Sequence, residues 1–136
     1  MATSTIFIEA SIEKVWDALT NPITVKKYFF NTDLVTTWKV GHPIFFRGEW
    51  EGKPYEDKGI VEIFLPFAIV SYTYRSSWET LPDEPENYQL VKYELVQIDS
   101  RIQLTITQTT KNSDEAKKSE GNWNSLLIEI KKLVES

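Results

Sequence analysis

Cysteine is absent from this 136-residue chain and histidine occurs once, at His42. Without thiols there is no disulfide framework, no thiolate nucleophile and no zinc finger, and a single imidazole cannot build a His-rich transition-metal site. Glycine is scarce as well: Gly41, Gly48, Gly52, Gly59 and Gly121 are scattered, so no phosphate-cradling loop is encoded. No apolar run approaches the ~20 residues of a membrane span. The opening Met1–Ser11 has neither the basic nor the long apolar stretch of a secretory signal, and the expectation is a cytoplasmic protein without a membrane span. Basic residues are the minority, 15 against 20 acidic, for a net charge of −5, which disfavours nucleic-acid binding through many phosphates. The missing ligand types also lead to the expectation of no metal and no organic cofactor.

Aromatic residues are abundant, at 13% of the chain, within a composition that is 41% hydrophobic and 26% charged. Such a chain folds, and its length predicts a single domain over 1–136. Thr5 to Glu9 alternates like a strand; Ser11 then stands as a helix N-cap, and Ile12, Val15, Trp16 and Leu19 form a helical apolar stripe. Asn21-Pro22 ends that helix and starts a shorter one, Pro22 to Phe30. Strand patterns follow at Asp33–Thr37, Ile44–Trp50, Gly59–Leu65, Ile69–Arg75, Gln89–Ile98 and Ile102–Thr110, with Ser76 to Tyr88 as a loop. The segment from Glu115 to Glu135 returns to helical spacing, with Trp123, Leu126, Leu127, Ile130, Leu133 and Val134 opposite a lysine-rich face. The expected fold class is therefore α+β, an antiparallel meander of about six to seven strands covered by one long C-terminal helix.

Val15-Trp16-Asp17-Ala18-Leu19-Thr20-Asn21-Pro22 and the following Tyr28-Phe29 resemble the first-helix signature of the START-like SRPBCC superfamily, the helix-grip fold. Within it, the chain is similar to the family named after the activator of the ninety-kilodalton heat-shock chaperone's ATPase. The residues that carry this are Trp38-Lys39-Val40-Gly41, Tyr55-Glu56-Asp57-Lys58-Gly59, Pro82 to Tyr88, Val91 to Leu95 and Glu120-Gly121-Asn122-Trp123. Many relatives place Trp directly after that helix glycine, whereas here Asn122 intervenes. The resemblance implies a curved sheet gripping the long helix, often with a ligand cavity between them. It does not fix an activity, because the superfamily includes lipid carriers, hormone receptors, polyketide cyclases and chaperone activators.

Few residues suggest catalysis. His42, between Gly41 and Pro43, reads as an exposed turn residue, and without a second base no Ser-His-Asp triad is available. Asp83, Glu84 and Glu86 offer oxygen atoms to a hard cation, but their spacing is not that of an EF-hand and they read as a solvated loop. The inward parity of the strands is more informative: it carries Ile44, Phe46, Trp50, Val61, Ile63, Val70, Tyr72, Tyr74, Val91, Tyr93, Leu95, Leu104, Ile106 and Gln108. Tyrosine hydroxyls and an amide on an apolar surface suit a small-molecule pocket, and equally a core whose polar groups bond one another. The expected cavity lining is Tyr28, Phe46, Trp50, Tyr72, Tyr74, Tyr93, Gln108, Trp123 and Leu127, with no catalytic residue. The opposite parity carries Phe45, Ile60, Phe64 and Ile69, so that face either meets a partner or hides a register slip. Three readings remain open: non-enzymatic binding of a small hydrophobic or amphipathic molecule; a protein-binding domain that docks on a chaperone or a second copy; and a cofactor-free enzyme of cyclase or dehydratase type.

Overall fold

A computed structural model describes residues 1–136. In chain order the elements are β1 (Ala2–Ile8), α1 (Ile12–Thr20), α2 (Pro22–Tyr28), β2 (Asp33–Thr36), β3 (Pro43–Trp50), β4 (Lys53–Leu65), β5 (Ile69–Tyr74), a 3-10 turn at Pro85–Asn87, β6 (Gln89–Ile98), β7 (Arg101–Gln108) and α3 (Ser113–Glu135). The strands make one antiparallel sheet in the order β1-β7-β6-β5-β4-β3-β2. The first two strands in sequence are thus its opposite edges, and α1 and α2 form the crossover between them. The curved sheet holds α3 against its concave face, the helix-grip arrangement. No helix is long and apolar enough to cross a membrane.

Local chemistry sets the boundaries. The Ser11 hydroxyl accepts from Lys14 N–H and caps α1, whose Val15, Trp16, Ala18 and Leu19 are buried. Asn21 closes α1 with its backbone N–H and caps α2 by accepting from Ile23 N–H, with Pro22 in the first turn where its missing donor costs nothing. The second helix ends at Tyr28, not Phe30, because Phe30 and Asn31 turn left-handed at φ +51° and +58°. Glu51 and Gly52 are also left-handed, as a two-residue type I′ hairpin requires, so β4 begins at Lys53 instead of Gly59. Pro54 is tolerated there because β5 does not extend alongside that end of β4.

A second difference lies in β4. Its pairing with β5 shifts between Val61 and Ile63. The extra residue turns the parity over: Val61 is fully buried, Ile63 is outward, and Phe64 points in to pack on Trp16 and Trp38, each with ring centroids 5.5 Å away. Strict alternation had put Ile63 inside and Phe64 outside, and the bulge corrects both.

The helix α3, 23 residues and about 34 Å long, is fixed along β1. Glu120 accepts from Thr3 N–H, the Ser4 hydroxyl donates to Glu120 O, Lys131 Nζ donates to Phe7 O, and Glu135 accepts from Glu9 N–H. The bonds to Thr3 N–H, Phe7 O and Glu9 N–H cover backbone groups that an edge strand otherwise offers to other chains. Leu127, Ile130 and Val134 enter the core beside Ile8, Val15, Ile102 and Leu104. Each such side chain contributes about 1.5–3 kcal/mol by leaving water.

Candidate functional site

Sheet and helix separate toward the N-terminal half of α3, leaving a cavity of about 250 Å³. One side is a cross-strand row, since Tyr72 pairs with Val91 and Val91 with Gln108, placing three strands' side chains at one level. Tyr74 extends the row, α3 supplies Ser119, Asn122, Trp123 and Leu126, and Phe29 and Phe30 form the rim. Phe30 is 70% exposed, an unusual position for a phenylalanine, and it stands at the cavity mouth.

The polar groups of this region are held in place. The Tyr72 and Tyr93 hydroxyls lie 2.6 Å apart and share one hydrogen bond. Two O–H groups and one bond between them leave one hydroxyl hydrogen without a protein acceptor. Burial pushes the Tyr72 phenol well above its usual pKa and that of Tyr93 up to about 12. Tyr74 donates to Asp57 Oδ2 at 2.5 Å, and Asp57 Oδ1 accepts from Ser77 N–H at 2.9 Å. Burial, and then the neighbouring carboxylate, raises Tyr74 strongly. On the helix side, Trp123 Nε1–H donates to Gln108 Oε1, Gln108 Nε2–H to Gln89 Oε1, and Gln89 Nε2–H to Glu115 Oε1, at 2.7–2.8 Å each. This relay fixes the rotation of α3 on the sheet. The wall therefore offers hydrogen bonds to a ligand, but no phenol in it surrenders a proton near neutrality.

Of the residues expected from sequence to line a cavity, the structure brings Tyr72, Tyr74, Gln108 and Trp123 together on its wall. Tyr93 stands behind that wall, bonded to Tyr72 and edge-on to Trp123. Phe46 is also behind it, packed on Phe29, Tyr72 and Tyr74 with centroids 5.4–6.0 Å apart. The Tyr28 hydroxyl is taken by Ala18 O at 2.6 Å. Trp50 does not reach the site: at the end of the β3–β4 hairpin it is 57% exposed. Leu127 is not on the wall either, because α3 is rotated so that Leu127 enters the core and Leu126 faces the cavity. Phe29, Phe30, Ser119, Asn122 and Leu126 were not anticipated. The helical spacing of 119, 122 and 126 was a readable signal, whereas the left-handed turn that exposes Phe30 was not.

His42 lies in its turn with Nδ1 3.2 Å from Thr37 Oγ1, exposed and away from the cavity. Asp83 is held by Lys58 at 2.6 Å and by the Tyr88 hydroxyl, which together keep its carboxyl below the usual value. A larger groove of about 460 Å³ runs on the convex face between Phe45, Ile60, Thr73 and the Asp83–Tyr88 loop. The Lys58–Asp83 pair belongs to that groove, which is the space left where a loop crosses a sheet. The inner cavity has the apolar walls and converging hydroxyl and amide groups of a ligand site.

Among curated proteins none matches the chain. Its structure is similar to the solution structure of ChR145 from Cytophaga hutchinsonii, 41% identical with a TM-score of 0.83 over 98% of this chain and 92% of that one. It is also similar to the Aha1 dimer from Colwellia psychrerythraea, 20% identical with a TM-score of 0.74 over 98% and 95% of the two chains. DynU16, a protein in the dynemicin biosynthetic locus, is 15% identical with a TM-score of 0.81 over 99% of this chain and 47% of that one. At such identities the last two show the fold alone. Residues 9–135 match the family described as Activator of Hsp90 ATPase homolog 1-like protein, and the chain belongs to that family within the START-like SRPBCC superfamily.

Proposed function

We propose that residues 1–136 act as one domain that binds a small hydrophobic or amphipathic molecule between the sheet and α3, without transforming it. The observation that carries this reading is the cavity of about 250 Å³ whose apolar wall holds Tyr72, hydrogen-bonded to Tyr93 behind it, a pair with one uncommitted hydroxyl hydrogen. A filled core has no reason to keep that hydrogen unmatched, whereas a ligand oxygen reaching the pair gives it an acceptor. The volume is just below the ~300 Å³ at which small-molecule sites usually begin, so it suits a ring or short chain whose remainder projects past Phe30. Proton transfer finds little support, because burial keeps the wall's tyrosines protonated through the neutral range.

The test is saturable binding of a naphthalene probe, followed by Trp emission and by native mass spectrometry. Leu126→Trp should fill the cavity and abolish binding while costing no more than the ~1–3 kcal/mol of an overpacked site. Equal probe affinity in the native and Leu126→Trp proteins would refute the reading. A protein-docking role, on a chaperone or on a second copy, is the second reading; it is supported by the family and by the Colwellia relative solved as a dimer. For a cofactor-free enzyme there is only the fold shared with DynU16, a protein of a biosynthetic locus.

A further inference from the structure

The cavity adjoins a second, more polar space of about 410 Å³, and Tyr74, Gln108, Ser119 and Asn122 line both. Along one face of α3 the wall changes character in order: Leu126 lies inside, Asn122 and Ser119 at the junction, and Lys118 and Glu115 outside. Leu126 and Glu115 are eleven positions apart on the helix, a rise of about 16 Å. A site that is apolar at one end and polar at the other fits an amphipathic ligand. The charges at the polar end decide the sign of its head group.

That outer space contains Arg75, Lys111 and Lys118 against Glu79 and Glu115, three cations to two anions in a chain whose net charge is −5. Both acids are already satisfied. Glu79 pairs with Lys111 at 2.9 Å and accepts from Thr80 N–H, and Glu115 Oε1 accepts from Gln89 Nε2–H at 2.8 Å and from Lys111 N–H at 3.3 Å. Arg75 donates to Leu81 O. Lys118 forms no ion pair, and the side chains of Ser119 and Asn122 form no hydrogen bond. An ammonium, a hydroxyl and an amide N–H are therefore grouped as uncommitted donors at the junction of the two spaces.

We infer that the ligand is an amphipathic carboxylate. Its apolar part lies against Leu126, Val91 and Tyr72, and its carboxylate meets Lys118, Ser119 and Asn122. This rests on the cavity being a binding site and adds the charge of what it takes. The exposure of Lys118 screens the contact, so the expected gain over an uncharged analogue is only about three- to tenfold.

The experiment compares 2-naphthoate with uncharged 2-naphthamide at pH 7 and low salt, by fluorescence titration of the native protein, Lys118→Gln and Lys132→Gln. The expected result is about three- to tenfold tighter binding of the carboxylate than of the amide to the native protein, a ratio that falls to about one in Lys118→Gln. Lys132→Gln, exposed and about 21 Å further along α3, should keep the preference, and 0.5 M salt should weaken it. Equal affinity for the two probes in the native protein overturns the head-group inference and leaves the cavity reading intact, as does a preference that survives in Lys118→Gln or disappears equally in Lys132→Gln. Failure of both probes to bind the native protein overturns the cavity reading itself.

Discussion

The Tyr72–Tyr93 pair allows a quantitative test of how the cavity wall is built. Both residues are buried, at 2% and 7% exposure, and their only side-chain hydrogen bond is to each other, at 2.6 Å. Tyr72→Phe removes one hydroxyl and leaves the Tyr93 hydroxyl in an apolar setting without a partner. An orphaned buried polar group costs about 1–3 kcal/mol, and the same holds for Tyr93→Phe. The double variant removes both hydroxyls, leaves nothing orphaned, and should lie within about 1 kcal/mol of the native protein. Thus each single variant is expected to be less stable than the double, with a coupling of about 2–3 kcal/mol. In urea melts, with a slope of about 1.5–2 kcal/mol/M for a domain of this size, each single change lowers the midpoint by roughly 1 M and the double restores most of it. Neutral single variants and an additive double would refute the reasoning. That outcome would mean that water in the cavity satisfies either hydroxyl alone.

Other expectations follow from the same structure. Leu127→Ala should cost about 2–5 kcal/mol in a urea melt, as a large-to-small change at a residue 1% exposed, and should leave probe affinity nearly unchanged because Leu127 faces the core. Gly59→Ala should cost about 3 kcal/mol or more, because a Cβ there overlaps the Thr73 carbonyl oxygen, while Gly121→Ala, with open space around it, should stabilise α3 by about 0.5–1 kcal/mol; midpoint shifts of opposite sign check both. Alkaline pH should unfold the protein. The phenols of Tyr28, Tyr72, Tyr74 and Tyr93 are all raised in the folded state, so the unfolded chain loses their protons first. Their contribution is complete below pH ~10 and is lost as pH rises toward 12, at about 1.4 kcal/mol per unit for each tyrosine. Phenolate absorbance at 295 nm should therefore rise together with the loss of far-ultraviolet circular dichroism, and full ionisation of a folded protein would contradict the burial of these rings.

The element order was legible in the sequence because the main periodicities are clear: caps at Ser11 and Asn21, a period of two through Gln89–Gln108, and a helical stripe from Trp123 to Val134. The misread positions share a local cause. The bulge at Val61–Ile63 inserts one residue into an otherwise regular alternation, and nothing in the side chains marks it. The left-handed Phe30 and Asn31 shorten α2 and place an aromatic ring at the cavity mouth against its usual preference for burial. For the site, alternation was enough to select Tyr72, Tyr74 and Gln108, since a strand's face is decided by parity. The choice of Leu126 over Leu127 depends on the rotation of α3, which the Trp123–Gln108–Gln89–Glu115 relay sets and a helical stripe alone leaves undetermined. Trp50 has the inward parity, yet its end of the hairpin extends past the core, and parity carries no information on where a sheet stops being covered.

The central claim is that the space between sheet and α3 accepts a ligand, and two-dimensional NMR of the labelled protein titrated with 2-naphthoate tests it most directly. The account predicts saturable shifts at the Trp123 indole N–H and at the backbone amides of Phe30, Val91, Asn122 and Leu126, and no such shifts in Leu126→Trp. Shifts confined to the convex groove around Phe45, Ile60 and Tyr88, or no saturable shift at millimolar probe, would contradict it.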